Sequence, residues 1–194
     1  VIRSFAKAHP DVEIGLHEGD MERVATYIKD GSADLGLTYD IYPDADIEHE
    51  VITRLAPFVL MSAKNPLARK KKLSLKDLAD EPLILMNSPG FSEYFINYFG
   101  MYDLKPRVLH QPTTYEMVRG LLSAGNGYSF SMVKIKNAQS YDGGALVNIE
   151  LAEPPPQVNL VVASLKGYRR GRLATAFIDE CQKRLSVVAT GTGG

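Results

Sequence analysis

The sequence predicts an α/β protein built from two groups of strands and helices. Three observations predict this class: strand-like apolar runs take turns with segments of helical periodicity, the connections are short, and the same order occurs twice. The first group lies before about residue 55, and the second lies between about 56 and 150. Strand–helix–strand units with short connections favour parallel crossovers, so we expect mixed, mostly parallel sheets flanked by helices.

The first group has four predicted elements before residue 40. Its first helix ends at His9-Pro10, because the residue before a proline avoids the helical backbone region. Asp20 is a predicted N-cap of the second helix, and Gly31 is its predicted C-terminal cap. The elements are a helix over 1–8, a strand over 12–18, a helix over 21–30 and a strand over 34–39.

The second group and the end of the chain repeat this pattern. Two extended segments are followed by a loop and by a short helix that Ser74 is predicted to cap. The last strand and the last helix resemble the elements of the first group. The predicted strands are 47–55, 58–62, 83–86, 107–110, 128–133, 146–151 and 157–163, and the predicted helices are 75–79, 92–99, 113–124 and 172–185.

The composition excludes several classes of protein. The 22 Lys and Arg residues balance 23 Asp and Glu residues, so the net charge of −1 argues against binding nucleic acid or an anionic membrane by bulk charge. The four cations at 69–72 form a short run that is typical of a solvated turn. The single cysteine, Cys181, cannot form an internal disulfide, and no apolar run is long enough to span a membrane.

The sequence contains no motif that indicates catalysis, a cofactor or a metal. The segment 127–131 lacks the final glycine of a nucleophile elbow, and neither a P-loop nor a strand-linked dinucleotide motif occurs. The four histidines have no metal-ligand spacing, and Cys181 lies on an apolar helix face. These patterns predict a protein that is not an enzyme.

Three polar turns between strand ends and helix starts are candidates for ligand binding. They are the turns at 18–20, 87–92 and 113–116. Ligands bind where strands end and helices begin, because free N–H groups and the positive end of the helix dipole point outward there. Helix capping explains each single turn equally well, since Thr113 with Glu116 fits a capping box and Ser92 is a possible N-cap.

Six segments carry a resemblance to a known family. Their order and spacing resemble the effector-binding domain of LysR-type transcriptional regulators over essentially the whole chain. The segments are His9-Pro10, 31–37, 65–68, 75–85, 116–128 and the closing helix with Phe177.

The resemblance implies a fold like that of type 2 periplasmic binding proteins, with a small molecule in the cleft between two α/β lobes. Lobe I is expected to comprise 1–55 and 157–194, and lobe II to comprise 56–156. The family's first strand and its winged helix-turn-helix domain are expected to be absent from this chain. The resemblance also implies a cytoplasmic bacterial regulator without a cofactor, which forms a homodimer or homotetramer and contacts DNA only through that absent domain. The helix face of Met21, Val24 and Ile28, or the strand next to it, is then a candidate partner contact.

The family's cleft contacts, carried over position by position, predict an effector site. No Arg or Lys occurs in the polar turns, so a dicarboxylate effector would find no fixed cation. We therefore expect a monocarboxylate with an aromatic or apolar body. A free-standing solute-binding protein and an enzyme on the same fold remain alternatives. The predicted contacts are Asp20, Tyr39, Ser88, Pro89, Gly90, Phe91, Ser92, Thr113, Thr114 and Tyr115.

Overall fold

The computed structural model describes residues 1–134 and 139–189, the last four of these as backbone only. The tail at 190–194, which is predicted to belong to lobe I, lies outside the described residues. The helices are α1 (Ile2–Ala8), α2 (Met21–Lys29), α3 (Leu75–Ala79), α4 (Phe91–Gly100), α5 (Tyr115–Ser123) and α6 (Arg172–Ala189). The strands are β1 (Gly36–Tyr39), β2 (Ile47–Leu55), β3 (Phe58–Ser62), β4 (Lys72–Leu73), β5 (Pro82–Ile84), β6 (Arg107–His110), β7 (Tyr128–Ser131), β8 (Leu146–Leu151) and β9 (Val158–Leu165).

The chain divides into two compact units, each with its own sheet. Unit 1 comprises Val1–Leu55 and Val158–Gly194, and unit 2 comprises Ala56–Gln157. The chain passes from one unit to the other between β2 and β3 and again between β8 and β9. Helices and strands occur in both units, so the α/β class predicted from the sequence is confirmed.

The sheet of unit 1 has the strand order β1-β9-β2. Both pairings are antiparallel, with Leu37 opposite Val162 on one side and Glu50 opposite Val162 on the other. The prediction of a mostly parallel sheet is therefore wrong for this unit. The reason is that β9 comes from the distant end of the chain and lies between β1 and β2, so no crossover joins neighbouring strands.

Residues 12–18, predicted as a strand, form no strand within the described chain. Their alternating pattern suits a strand, but a strand forms only where a neighbour supplies backbone hydrogen-bond partners. In the described sheet of unit 1, β1 pairs on one side only, with β9. The prediction of a strand at 12–18 is therefore wrong, because no strand of the described sheet pairs with these residues.

Helix α2 covers the sheet of its own unit. Asp20 caps it as predicted, because its side chain accepts a hydrogen bond from the backbone N–H of Arg23 at 2.8 Å. Met21 and Ile28 on the apolar face are buried. The helix lies so close to β1 that a Cβ at Gly36 would come within 2.6 Å of Val24. The face proposed for a partner is thus occupied by the protein's own sheet.

Unit 2 has a six-stranded mixed sheet in the order β4-β8-β3-β7-β5-β6. Strand β3 pairs antiparallel with β7 and β8, whereas β4 with β8, β5 with β6 and β5 with β7 are parallel. Helix α4 packs aromatic rings on one face, where Phe95 stacks on Phe130 with ring centroids 4.0 Å apart. The core on the α5 side contains Leu60, Ile84, Val118, Leu122 and Leu146.

Among the described residues, no helix combines the length and apolarity needed to cross a membrane.

Candidate functional site

Two of the predicted polar turns meet at one edge of the unit 2 sheet. Strands β5 and β6 are parallel, so both turns follow the carboxyl ends of neighbouring strands. Beyond the strands the pairing continues, because the Leu85 N–H donates to the His110 carbonyl at 3.0 Å and the Asn87 N–H donates to the Pro112 carbonyl at 2.8 Å. The chain then enters α4 after one turn and α5 after the other. The N-termini of both helices therefore open from the same edge.

The turn before α4 ends in a glycine with a left-handed backbone. Gly90, with φ of 79°, is the N-cap residue, and its N–H donates to the Glu93 carboxylate at 2.6 Å. The prediction of Ser92 as an N-cap is wrong, because its hydroxyl donates to the Met86 carbonyl at 2.9 Å instead. The N–H of the N-cap residue is thus already held by an acidic side chain of the protein.

The other residues of this turn differ in exposure. Ser88 is 7% exposed, and its hydroxyl has no hydrogen-bond partner among the described residues. Pro89 is half-buried. Phe91 is buried and places its ring against Phe95 in an edge arrangement with centroids 4.9 Å apart. Phe91 therefore belongs to the aromatic core of unit 2, where it supports the turn from beneath.

The turn before α5 is capped one residue later than the sequence predicts. Thr114, not Thr113, is the N-cap, and its hydroxyl accepts a hydrogen bond from the Met117 N–H at 3.3 Å. Thr113 is exposed. Glu116, which the capping-box pattern assigned to the cap, forms an ion pair with Arg119 at 3.6 Å. Thr114 is the N-cap because its backbone has the extended conformation that this position requires.

Tyr115 connects this turn to the sheet. Its hydroxyl donates to the Ser131 hydroxyl at 3.0 Å, and Ser131 donates to the Val133 carbonyl at 2.7 Å. Burial raises the pKa of Tyr115 above its ordinary value. The ring is therefore a neutral, half-buried surface held in one orientation at the first turn of α5.

Asp20 and Tyr39, the remaining predicted contacts, belong to unit 1. Asp20 is exposed at the start of α2 and lies in a shallow surface depression with Arg23. Tyr39 ends β1 and helps line a small cavity beneath α2, together with Asp44 and His49. These two residues lie in the other unit from the turns at 88–92 and 113–115.

Sequence reasoning missed two charged residues next to the turns. Glu93 carries the signal that could have identified it, since an acid three residues after the N-cap is a capping-box spacing. Arg119 is nearly buried, and its Nε atom has no hydrogen-bond partner in the described part of the chain. No sequence pattern separates this buried arginine from the exposed ones. Within the same residues, no group of three or more His, Cys, Asp or Glu side chains could hold a metal ion.

Comparisons with known proteins agree on one family. Residues 1–186 match the family described as the LysR substrate binding domain. Among curated proteins, the HTH-type transcriptional regulator BenM of Acinetobacter baylyi is 26% identical over 84% of this chain and 54% of its own length. The chain spans about half the length of the curated relatives it matches.

Solved structures show the same likeness in three dimensions. HinK, a LysR family transcriptional regulator from Pseudomonas aeruginosa, superposes with a TM-score of 0.87 at 30% identity, over 97% of this chain and 64% of that one. The effector binding domain of QuiR, solved in complex with shikimate, gives a TM-score of 0.80 at 22% identity over 94% of this chain and 87% of that chain, a likeness of fold alone. The chain has the type 2 periplasmic-binding-protein-like fold of these domains, and it belongs to the family of LysR substrate binding domains of transcriptional regulators.

Proposed function

We propose that this chain senses a small organic effector for a LysR-type transcriptional regulator. The observation that carries the proposal is the hydrogen bond from the Asn87 N–H to the Pro112 carbonyl, because it joins the two polar turns at one sheet edge. Helix N-termini that open from one edge offer N–H donors and partial positive charge to a single ligand. The predicted contacts at 88–90, 92 and 113–115 then act on the same molecule, and the buried Phe91 supports the turn.

The proposed ligand is a monocarboxylate with an aromatic or apolar body. Its carboxylate would take the start of α5, because Glu116 at that end is paired with Arg119. The hydroxyl of Ser88, a residue that is only 7% exposed, can donate to the same group, and a neutral hydrogen bond of this kind contributes about 0.5–1.5 kcal/mol. Tyr115 supplies flat apolar surface beside it. We further propose that Asp20 and Tyr39 of unit 1 contact the same molecule.

Glu93 gives a reason why a second carboxylate would be rejected. Its carboxylate already accepts from the Gly90 N–H at the start of α4, so the positive end of that helix is neutralised from within. A dicarboxylate that spans the two helix starts would bring a second negative charge close to Glu93. At a separation of about 6 Å and an effective dielectric constant of about 40, repulsion of this kind costs about 1.4 kcal/mol, or about tenfold in affinity.

Ligands bound to structural relatives are compatible with this chemistry. The QuiR effector domain is in complex with shikimate and the BenM effector domain is in complex with its effector benzoate, and each of these molecules carries one carboxylate. The likeness to both domains is one of fold, at 22% identity. It supports a small organic ligand for this chain and no particular class or compound, since the CcmR regulatory domain, at 19% identity, is in complex with 2-PG.

Calorimetry with two probes tests the site. Benzoate serves as the monocarboxylate and benzene-1,3-dicarboxylate as the dicarboxylate. We expect the chain to bind benzoate more tightly than the dicarboxylate, and Ser88→Ala to weaken benzoate binding about 2- to 10-fold through the lost hydrogen bond. Glu93→Gln keeps an oxygen that can accept from Gly90 but removes the charge, so it should improve dicarboxylate binding about tenfold.

The matched control for Glu93 is Glu116→Gln, which removes an acid from the start of the other helix, where Arg119 neutralises it. It should leave the preference between the two probes within about twofold. Tighter binding of the dicarboxylate by the unmodified chain would contradict the proposed ligand class. If Ser88→Ala binds benzoate as tightly as the unmodified chain, the turn at 88–92 does not contribute to the site.

For the whole protein, we propose a homodimer or homotetramer that binds DNA through an N-terminal domain outside this chain. The support is that the curated relatives are named as HTH-type transcriptional regulators and are about one and a half times as long as this chain. A regulator of this kind works in the cytoplasm. Sequencing the gene upstream of Val1 tests this, and a secretion signal there would favour a solute-binding protein instead.

A further inference from the structure

We propose that one edge of unit 2 binds the phosphate backbone of duplex DNA, in addition to contacts made by a separate DNA-binding domain. This basic edge comprises residues 64–76, which include the 3₁₀ helix Pro66–Arg69, strand β4 and the start of α3. The proposal concerns binding without sequence preference, and it does not depend on the effector.

The charge of the basic edge is larger than the run at 69–72 indicates. Six cations and no acidic residue occur over 64–76, and all six cations are exposed. Since the whole chain has a net charge of −1 and this segment contributes +6, the remaining residues carry −7. The cations are Lys64, Arg69, Lys70, Lys71, Lys72 and Lys76.

The backbone that carries these cations is fixed at several points. The Asn65 side chain accepts from the Leu67 N–H at 2.8 Å and so caps the 3₁₀ helix. Strand β4 pairs parallel with β8 in the sheet. Ser74 and Asp77 form a reciprocal capping box at the start of α3, as the sequence analysis predicts for the Ser74 cap. Cations on a fixed backbone lose less conformational freedom on binding than cations on an open loop.

Carboxylates of the protein neutralise only part of this charge. Lys70 pairs with Asp77 at 2.7 Å, and Lys72 pairs with Glu150 at 3.4 Å. In the described ranges, the other four cations of the basic edge form no ion pair. Four positive charges therefore face the solvent without a partner.

The apolar residues of the basic edge favour a nucleic acid over a protein or a membrane. Leu73 and Leu75 are fully buried, Leu67 is half-buried, and none of the large apolar side chains of 64–76 is exposed, so the surface lacks the apolar centre on which protein interfaces depend. Stable attachment of a protein to a membrane surface likewise requires apolar side chains that insert into it. A surface of charge alone suits a phosphate backbone, to which Lys and Arg bind without reading bases.

Fluorescence anisotropy with a labelled 30-base-pair duplex of arbitrary sequence tests the proposal on this chain. We expect binding at 25 mM KCl that weakens steeply with added salt. Four phosphate contacts predict a slope of about −3.6 in a plot of log affinity against log salt concentration. Arg69→Glu and Lys71→Glu should each weaken binding at least fivefold and flatten the slope by about one. Lys71→Ala gives a milder version of the same change.

Lys105→Glu is the matched control, because Lys105 is an exposed cation of unit 2 outside the basic edge. It should leave both affinity and slope nearly unchanged. The proposal is overturned if the chain does not bind the duplex at 25 mM KCl, or if Lys105→Glu weakens binding as much as Lys71→Glu. Equal competition by poly-glutamate, or preferential binding to vesicles with 30% phosphatidylserine, would assign the basic edge to a different partner and overturn it as well.

Discussion

The Tyr98 hydroxyl donates to the backbone carbonyl of Glu153 at 2.7 Å, which ties helix α4 to the segment that leaves unit 2. One turn earlier on the same helix, the Tyr94 hydroxyl donates to the Pro156 carbonyl at 2.5 Å. The Glu153 carboxylate in turn accepts from the Leu75 N–H at 3.1 Å. The chain from 153 to 156 has little room for regular pairing because it holds three prolines, so these side-chain bonds hold it in place.

Replacing Tyr98 by phenylalanine should destabilise the protein. The ring is fully buried, and the substitution leaves its packing intact while removing the bond to the Glu153 carbonyl. We expect the free energy of unfolding to fall by about 1 kcal/mol, the net contribution of such a hydrogen bond. Urea unfolding followed by circular dichroism measures it. Tyr102→Phe, at a partly exposed tyrosine just after the helix with its ring 6.0 Å from that of Tyr98, is the control and should change the free energy by less than about 0.5 kcal/mol.

Tyr128→Phe should not lower the free energy of unfolding, in contrast to Tyr98→Phe. The Tyr128 hydroxyl is buried and has no hydrogen-bond partner within the described residues, so the folded state carries a polar group removed from water. Removing that group while keeping the ring should leave stability unchanged or raise it by up to about 1 kcal/mol. The same unfolding experiment checks this. A loss as large as that of Tyr98→Phe would contradict this prediction, because it would show that the hydroxyl contributes a favourable hydrogen bond in the folded state.

The buried tyrosines Tyr98 and Tyr128 should make the stability of the protein depend on pH above neutrality. Burial raises the pKa of Tyr98 and of Tyr128 above the ordinary value of about 10. A raised folded-state pKa means that the stabilising contribution is complete below the unfolded value and is lost as pH rises above it. We expect the midpoint of urea unfolding to fall progressively above about pH 10. In the double variant with phenylalanine at both positions, this fall should be smaller.

The fold could be predicted to the extent that local patterns determine it. Capping residues such as Asp20 and Ser74 were correct because an N-cap bond joins residues three apart. The order of strands in unit 1 could not be predicted, because β9 pairs with strands more than 100 residues away. Local periodicity carries no information about that partner.

In the candidate site, too, the sequence predicts the features that depend on local patterns and misses those that depend on tertiary packing. The sequence indicated the polar turns at 88–92 and 113–115, and their meeting followed from parallel strands ending at one sheet edge. The burial of Phe91 was not foreseen, because its ring turns toward Phe95 and the aromatic core. A residue at the first position of a helix can face either the core or the solvent, and only tertiary packing decides which.

Gly127→Ala should strongly destabilise unit 2. The backbone at Gly127 has φ of 90°, and an added Cβ would lie 1.9 Å from the Pro82 carbonyl oxygen on the neighbouring segment. Since backbone atoms must move, we expect a loss of about 3 kcal/mol, from steric strain together with the unfavourable backbone region. Gly125→Ala is the matched control, with φ of 88° and no atom within 4 Å of the added Cβ. It should lose only about 1 kcal/mol, and equal losses would show that the contact with Pro82 is unimportant.

The last prediction concerns Asp142, which holds its loop against the end of α5. Its carboxylate accepts from the Ser123 hydroxyl at 2.8 Å, from the Gly144 N–H at 3.2 Å and from the Ser140 hydroxyl. The hydrogen bonds from Ser140 and Ser123 lower the pKa of Asp142 below its ordinary value. A lowered folded-state pKa means that this contribution to stability is complete above the unfolded value of about 4 and is lost as pH falls through the folded one.

Carbon NMR titration of the Asp142 carboxylate measures that pKa directly. Ser123→Ala removes one donor to the ionised form, so the pKa of Asp142 should rise toward its ordinary value, and amide exchange at Gly144 should become faster. Ser32→Ala, a surface serine in unit 1, should leave the Asp142 titration unchanged. If Ser123→Ala leaves it unchanged too, the loop is held by Ser140 and the backbone, and the bond to α5 makes no contribution in solution.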